Sequence, residues 1–199
     1  MSSLKAEAPR PKRGRPVDVD PDRVALIALR HFDEHGYEAT TMDDIAVVAG
    51  VSRRTLFRYF PSKSALVWGG VEPVVERMRA ELASASAAEG TFDVVGRALG
   101  RALQLPPDRL EATRRRLALI VGDESLMGYG LAQLRRNRDL LAEFIAAREG
   151  IDAGSLRAQV LADVLTSATF SALTWWAVNA GGDPGPVLYA ALDDIARGL

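Results

Sequence analysis

The chain has 199 residues, 48% apolar and 26% charged, with a formal net charge of −1, no cysteine and two histidines. This is the balance of a globular protein long enough to bury a core without covalent staples, and it excludes disulfides, thiolate metal centres and a cysteine nucleophile. A histidine-dependent catalytic or metal site has only His31 and His35 to draw on.

Charge is spread unevenly. Lys5, Arg10, Lys12, Arg13 and Arg15 crowd the first sixteen residues against one acid, Glu7, and Arg53, Arg54, Arg58 and Lys63 form a second cluster with no acid among them. The remainder is mildly acidic, so the asymmetry points to an anionic partner at one end of the chain. Met1–Pro16 lacks the apolar stretch of a signal peptide. Val164–Gly182 is the least charged segment, but Thr166, Ser167, Thr169, Ser171, Thr174 and Asn179 make it too polar for a membrane span of ~20 apolar residues. A soluble cytoplasmic protein with no membrane partner is expected.

Residues 1–19, rich in Pro, Lys and Arg, read as a disordered basic arm. Helical spacing starts at Asp20-Pro21, where Ala25, Ala28, Leu29 and Phe32 share a face and Gly36 supplies a stop. Thr41 opens a short second helix in capping-box spacing with Asp44, burying Ile45, Ala46 and Ala49 and ending at Gly50. Ser52 caps a third, whose apolar side is Leu56, Phe57 and Phe60 and which Pro61 terminates.

Two short helices around a tight glycine turn make a helix-turn-helix. The second offers Arg53, Arg54, Thr55, Arg58 and Tyr59 to solvent, as a major-groove reader must, since arginine grips guanine through two acceptors. Ser52, Thr55 and Tyr59 supply hydroxyls for phosphates, Lys63 supplies a charge, and the free N–H groups opening both helices favour phosphate as well. The competing interpretation is a solvated basic face; the coincidence of helix lengths, Gly50, Ser52 and an acid-free surface favours double-stranded DNA as the partner.

The run Thr40-Thr41-Met42-Asp43-Asp44-Ile45-Ala46, followed by Ala49-Gly50-Val51-Ser52-Arg53-Arg54-Thr55-Leu56-Phe57-Arg58-Tyr59-Phe60-Pro61-Ser62-Lys63, resembles the DNA-binding signature of the TetR family of repressors, and the likeness covers residues 22–66. The resemblance implies an all-α homodimer reading a palindromic operator, with a three-helix DNA-binding domain (20–63) and a larger helical domain (64–199) for dimerisation and a small-molecule inducer. It also implies that Arg53, Arg54 and Thr55 read bases or nearby backbone, and that Thr41, Tyr59 and Lys63 hold phosphates. The chain departs from the family in two places: Phe57 stands where Tyr is frequent and Tyr59 where His is frequent. In the arm, Arg13-Gly14-Arg15-Pro16 resembles an AT-hook core, so Arg13 and Arg15 either enter a narrow minor groove or belong to a basic tail that adds only salt-dependent affinity.

Beyond Lys63 every segment reads as helix. The expected helices are Ser64–Ala88, Phe92–Leu103, Arg109–Val121, Leu126–Arg148, Leu156–Asn179 and Val187–Arg197, with Gly122–Gly130 either a loop at a cavity mouth or part of a helix. No strand pattern and no repeat is evident. Val160, Val164, Ala168, Ser171, Thr174 and Val178 fall near one stripe of the helix at 156–179, which with the helix at 187–197 can form a four-helix contact with a symmetry mate. The alternative is an ordinary core helix.

Trp68, Leu99, Leu103, Leu117, Phe144, Phe170 and Trp175 are candidates to line an apolar cavity, each with core packing as its plainer role. The clusters Arg114-Arg115-Arg116 and Arg135-Arg136 with Arg138 are either solvated faces or an anion site for a phosphate-bearing ligand, with Arg114 and Arg135 as the candidate grips. The segment 53–63 followed by Val67-Trp68-Gly69 is similar to regulators associated with mycofactocin biosynthesis, which implies a long-chain acyl-CoA as inducer. An enzyme is not expected: nucleophile elbow, phosphate loop, dinucleotide turn and His-Glu-x-x-His are all lacking. His31 and His35 lie one turn apart, with Asp33 and Glu34 expected to point elsewhere, so neither a metal nor a cofactor is implied. A DNA-binding protein without a ligand is the remaining alternative, and a core without a cavity would favour it.

Overall fold

The computed structural model describes residues 19–86 and 88–198, all helix and connection with no strand among them. The order is α1 (Pro21–His35), α2 (Met42–Val48), α3 (Arg53–Tyr59), α4 (Lys63–Trp68), α5 (Val71–Ala83), α6 (Thr91–Ala102), α7 (Pro107–Gly122), α8 (Glu124–Glu149), α9 (Leu156–Asn179) and α10 (Gly185–Gly198). The proposed arm falls outside the described residues except for Val19.

Local chemistry accounts for the N-terminal boundaries. Asp20 accepts from the Asp22 N–H at 3.0 Å to cap α1. Thr41 and Asp44 form a reciprocal capping box on α2, and Ser52 accepts from the Thr55 N–H at 3.1 Å to cap α3. Between α2 and α3 the chain passes through Gly50 at φ +66°, a left-handed conformation that costs a side chain but not glycine.

One buried cluster ties these helices together. Ala28, Leu29, Phe32, Ile45, Leu56, Phe60, Leu66 and Trp68 pack with Ala112, Ile120 and Leu126 from α7 and α8. The second core lies between α5, α6, α8, α9 and α10, around Met78, Val94, Val95, Leu141, Ile145, Leu165 and Leu188. Periodicity assigned helix to both regions correctly, but the expected continuous helix from Ser64 to Ala88 is two helices. Ser62 caps α4, which ends at Trp68, and α5 starts afresh at Val71 and ends at Ala83. The break at Gly69-Gly70 is packed against α7, where a Cβ on Gly70 would lie 2.2 Å from an Arg116 guanidinium nitrogen. Gly122–Gly130 resolves into the end of α7, a junction at Asp123 and the first turns of α8, which Asp123 caps.

Candidate nucleic-acid interface and interior cavity

The helix-turn-helix presents a basic surface whose members differ in their freedom. Arg54 and Arg58 are exposed on α3. Arg53 is exposed too, but its guanidinium pairs with Asp43 at 3.1 Å and lies 5.4 Å from the Phe57 ring centroid. Arg58 donates to the Tyr59 hydroxyl at 3.1 Å and lies over that ring. Ser52 and Thr55 share a hydroxyl–hydroxyl hydrogen bond of 2.8 Å. The Thr41 hydroxyl donates to Asp44 at 2.6 Å, which together with the Thr41 backbone N–H holds the Asp44 carboxyl below the usual carboxylate range. Lys63 is turned to the protein: Nζ donates to the Tyr37 carbonyl at 2.7 Å and sits 4.4 Å from the Tyr37 ring centroid. The structure thus gives Thr41, Ser52 and Lys63 roles in holding helix starts and turns, alongside the phosphate contacts expected of them. Asp43, which neutralises Arg53, was not apparent from sequence. Arg13 and Arg15 lie outside the described residues.

Ion pairs also run from this headpiece to the body. Glu111 on α7 accepts from Arg30 Nε at 3.1 Å and from an Arg30 terminal nitrogen at 2.6 Å, and also from Arg115 Nε at 2.9 Å. Arg115 reaches on to Asp33, and Arg109 pairs with Asp22 at 2.7 Å. At the other corner Trp68 Nε1 donates to the Leu126 carbonyl at 2.9 Å.

Between α4, α5, α6, α7, α8 and α9 lies a largely apolar cavity of about 100 Å³. Trp68, Leu99, Leu103, Leu117 and Phe170 are on its wall, with Val71, Val75, Met78 and Leu173. The other expected lining residues are elsewhere. Phe144 packs on the second core beneath the Arg148 guanidinium. Trp175 is 54% exposed on the outer face of α9, whereas its neighbour Trp176 is buried against Leu117. Arg135 is exposed on α8, and Arg114 donates to the Ala177 carbonyl at 2.9 Å.

The two arginine clusters do not form one anion grip, because successive helix positions point about 100° apart. Arg114 goes to α9, Arg115 to Asp33 and Glu111, Arg136 to Gln133 and Glu72, and Arg138 to Asp163 and Gln159. Only Arg116 turns inward. It is 6% exposed, lines the cavity, and its Nε has no hydrogen-bond partner among the described residues. Burial lowers its pKa to about 10, which leaves it cationic at neutral pH. The sequence did carry a signal for it: Arg116 stands in register with Ala112 and Ile120, one turn either side, both buried.

Glu34 does not point away as expected. His31, Glu34 and His35 bring their ligating atoms within 4.8 Å of one another on α1, where the two imidazoles stack at 4.0 Å. His35 Nδ1 lies 3.2 Å from the His31 carbonyl oxygen, so its own helix engages that nitrogen when it carries the proton.

Residues 27–67 match the model of the bacterial regulatory proteins of the tetR family, and residues 89–199, more than half of the chain, match that of the MftR C-terminal domain. The chain belongs to the TetR family of transcriptional regulators. Among curated proteins, this TetR-family regulator is 27% identical over 186 residues, 94% of each chain, to the protein named as a mycofactocin biosynthesis transcriptional regulator, MftR, of Mycobacterium tuberculosis. It is 36% identical to the transcriptional repressor KstR of Mycolicibacterium smegmatis over 132 residues, 64% of this chain and 59% of that protein. Among solved structures, the fatty acid degradation regulator FadR of Bacillus halodurans superposes with a TM-score of 0.64 at 19% identity, covering 90% of this chain and 95% of that one. Thermus thermophilus FadR, a repressor in complex with lauroyl-CoA, superposes with a TM-score of 0.54 at 24% identity over the same shares. These two likenesses concern the fold. No described helix is long and apolar enough to cross a membrane.

Proposed function

We propose that this regulator is a cytoplasmic homodimeric repressor that binds a palindromic operator through α3 and leaves it when an apolar small molecule enters the cavity, with long-chain acyl-CoA as the candidate inducer. The observation that carries this reading is the position of the cavity. Its wall includes Trp68 and Gly70, at the end of the headpiece, and Arg116 and Leu117 on α7, the helix whose other face is ion-paired to α1.

The mechanism is a population shift. In the DNA-binding state the two recognition helices stand about 34–36 Å apart, or a multiple of that, to meet successive major grooves. A cavity of about 100 Å³ is smaller than the ~300–1,000 Å³ of a typical ligand site. An acyl chain therefore has to part α4 and α7 from α8 and α9, and it binds best to whichever state is already parted. That difference in affinity is the whole of the free energy available to release DNA. The pivot is the α4–α5 joint together with α7, in place of one long helix from Ser64.

The second copy is proposed to dock on the outer face of α9. Leu156, Val160, Trp175 and Val178 are exposed there with Ser167 and Ser171 among them, and Tyr189 is exposed on α10. Thr174, expected on this stripe, is buried and donates to the Phe170 carbonyl at 3.0 Å.

Fluorescence anisotropy on DNA from upstream of the regulator's own gene, with and without lauroyl-CoA, tests the whole reading. Saturable, salt-dependent binding that lauroyl-CoA abolishes is expected. Binding indifferent to lauroyl-CoA would discard the acyl-CoA inducer, and a monomer in sedimentation analysis would discard the α9 interface.

A further inference from the structure

We infer that Arg116 is an anion anchor, and that the cavity also takes an apolar chain ending in a free carboxylate, buried head first, an inducer class separate from the acyl-CoA, whose thioester brings no carboxylate into the cavity. The inference rests on the cavity being the inducer site and names the chemistry of what that site takes. The cavity wall is largely apolar, with Val75, Met78, Leu99 and Leu173 beside the polar Thr113, Gln133 and Asn137, and on its other side Arg116 borders a smaller polar cleft with Asp22, Asp108 and Arg109. A guanidinium in such a place is largely desolvated, and among the described residues it has no ion pair in return. Asp22 acts on it electrostatically, but that carboxylate is paired with Arg109 at 2.7 Å. A purely apolar ligand would remove the remaining water and leave the charge where it is, whereas a carboxylate accepts directly from the guanidinium and neutralises it.

A second group points the same way. Thr166 on α9 lines the same cavity, and its Oγ1 is buried with no hydrogen-bond partner among the described residues. An unpartnered hydroxyl and an unpartnered cationic donor on one largely apolar wall suit a head group that accepts hydrogen bonds. Arg116 also supports the α4–α5 joint, since the space beside Gly70 is filled by its guanidinium. A carboxylate that draws the guanidinium toward itself therefore withdraws a support from the joint that ends the headpiece.

The test compares decanoate with decan-1-ol, one apolar tail with two heads, on the full-length protein at pH 7 below micellar concentrations. Binding is followed by the melting temperature and by tryptophan fluorescence. The expected result is that decanoate binds about tenfold or more tighter than the alcohol, the scale of one charge-assisted hydrogen bond. Arg116→Met should erase that preference, and Arg116→Lys should keep part of it. Equal binding of both probes to the wild type overturns the anchor while leaving an apolar ligand site intact. Binding of neither overturns the anchor together with the cavity reading on which it rests. Acid preference that survives in Arg116→Met, with circular dichroism confirming the fold, also overturns the anchor. Should that variant fail to fold, the wild-type comparison and Arg116→Lys still decide it.

Discussion

The Trp68 ring fills the space that a side chain at Gly130 would occupy: a Cβ there would fall 1.8 Å from the ring. Trp68 is the last residue of α4 and Gly130 lies one turn beyond Leu126, whose carbonyl takes the indole N–H. The end of the headpiece is therefore keyed into α8 by shape and by a hydrogen bond together. Gly130→Ala keeps the helix but evicts the ring. It is expected to destabilise the protein by roughly 1–3 kcal/mol, the usual cost of overpacking a core, and to shift the tryptophan emission. A denaturant melt with the wild-type midpoint would show that the ring has room to move.

Arg54 and Arg53 are neighbours with unequal roles. Arg53 is paired with Asp43, whereas Arg54 is exposed and makes no ion pair among the described residues. Arg54→Ala is expected to weaken specific DNA binding by ~1–3 kcal/mol and to leave the dimer intact. Asp43→Asn is expected to strengthen DNA binding by releasing Arg53 and removing a negative charge from the surface. Anisotropy titrations on one operator measure both. Unchanged affinity in Arg54→Ala removes it from the reading surface.

Caps and breakers made the headpiece legible in sequence. Thr41 and Ser52 each cap the helix assigned to them, the first helix starts at Asp20-Pro21 as expected, and Gly50 makes its turn. Local signals of this kind act within a few residues and are written in order along the chain. The α4–α5 break was not legible, because Gly69 and Gly70 are tolerated within a helical pattern and what separates the helices here is the approach of α7, remote in sequence. The cavity was half legible for a related reason. Apolar residues such as Leu99, Leu117 and Phe170 are right for a wall or for a core, and only packing sorts Phe144 and Trp175 from them. Arg116 was hidden inside a run of three arginines that looks solvated until the helix assigns one of them to the interior.

The arm at residues 1–19 lies almost wholly outside the described residues, but its charge has a measurable consequence if it meets DNA. Each phosphate that a basic residue neutralises steepens the dependence of affinity on salt. Deleting residues 2–16 is expected to flatten that slope, with the loss larger on A·T-rich flanks if Arg13 and Arg15 enter a minor groove. An unchanged slope places the arm off the DNA.

Asp44 is expected to contribute to the acid sensitivity of the headpiece. Its carboxyl is held below the ordinary range by the Thr41 hydroxyl and backbone N–H. A depressed folded-state pKa contributes stability above the unfolded value of ~3.9 and loses it as pH falls through the folded value. The wild type is therefore expected to lose melting temperature below about pH 4, and Asp44→Asn to start lower at pH 7 and lose less over the same range. Glu111 and Asp123 are depressed as well, so the wild-type loss is a sum and the difference between the two curves isolates Asp44. Parallel curves would mean that the capping box does not contribute to acid sensitivity.

Glu111 tests whether α7 is the lever between ligand and DNA. One face of α7 carries Arg116 and Leu117 into the cavity, and another carries Glu111 and Arg115 to Arg30 and Asp33 on α1. These pairs are partly exposed, so solvent screens them and their removal costs the fold little. Their geometry matters more than their strength: Arg30 on α1 meets Glu111 through two nitrogens, and Arg115 on α7 braces the same carboxylate while reaching Asp33 on α1, so a shift of α7 is passed to α1. Glu111→Gln is expected to leave the melting temperature and the binding midpoint of a cavity probe nearly unchanged, while the concentration of that probe needed to release DNA rises several-fold. Binding and release measured on the same preparation separate the two effects. Release that still tracks binding as in the wild type would assign the transmission to Trp68 and the α4–α5 joint, with α7 serving only as a wall.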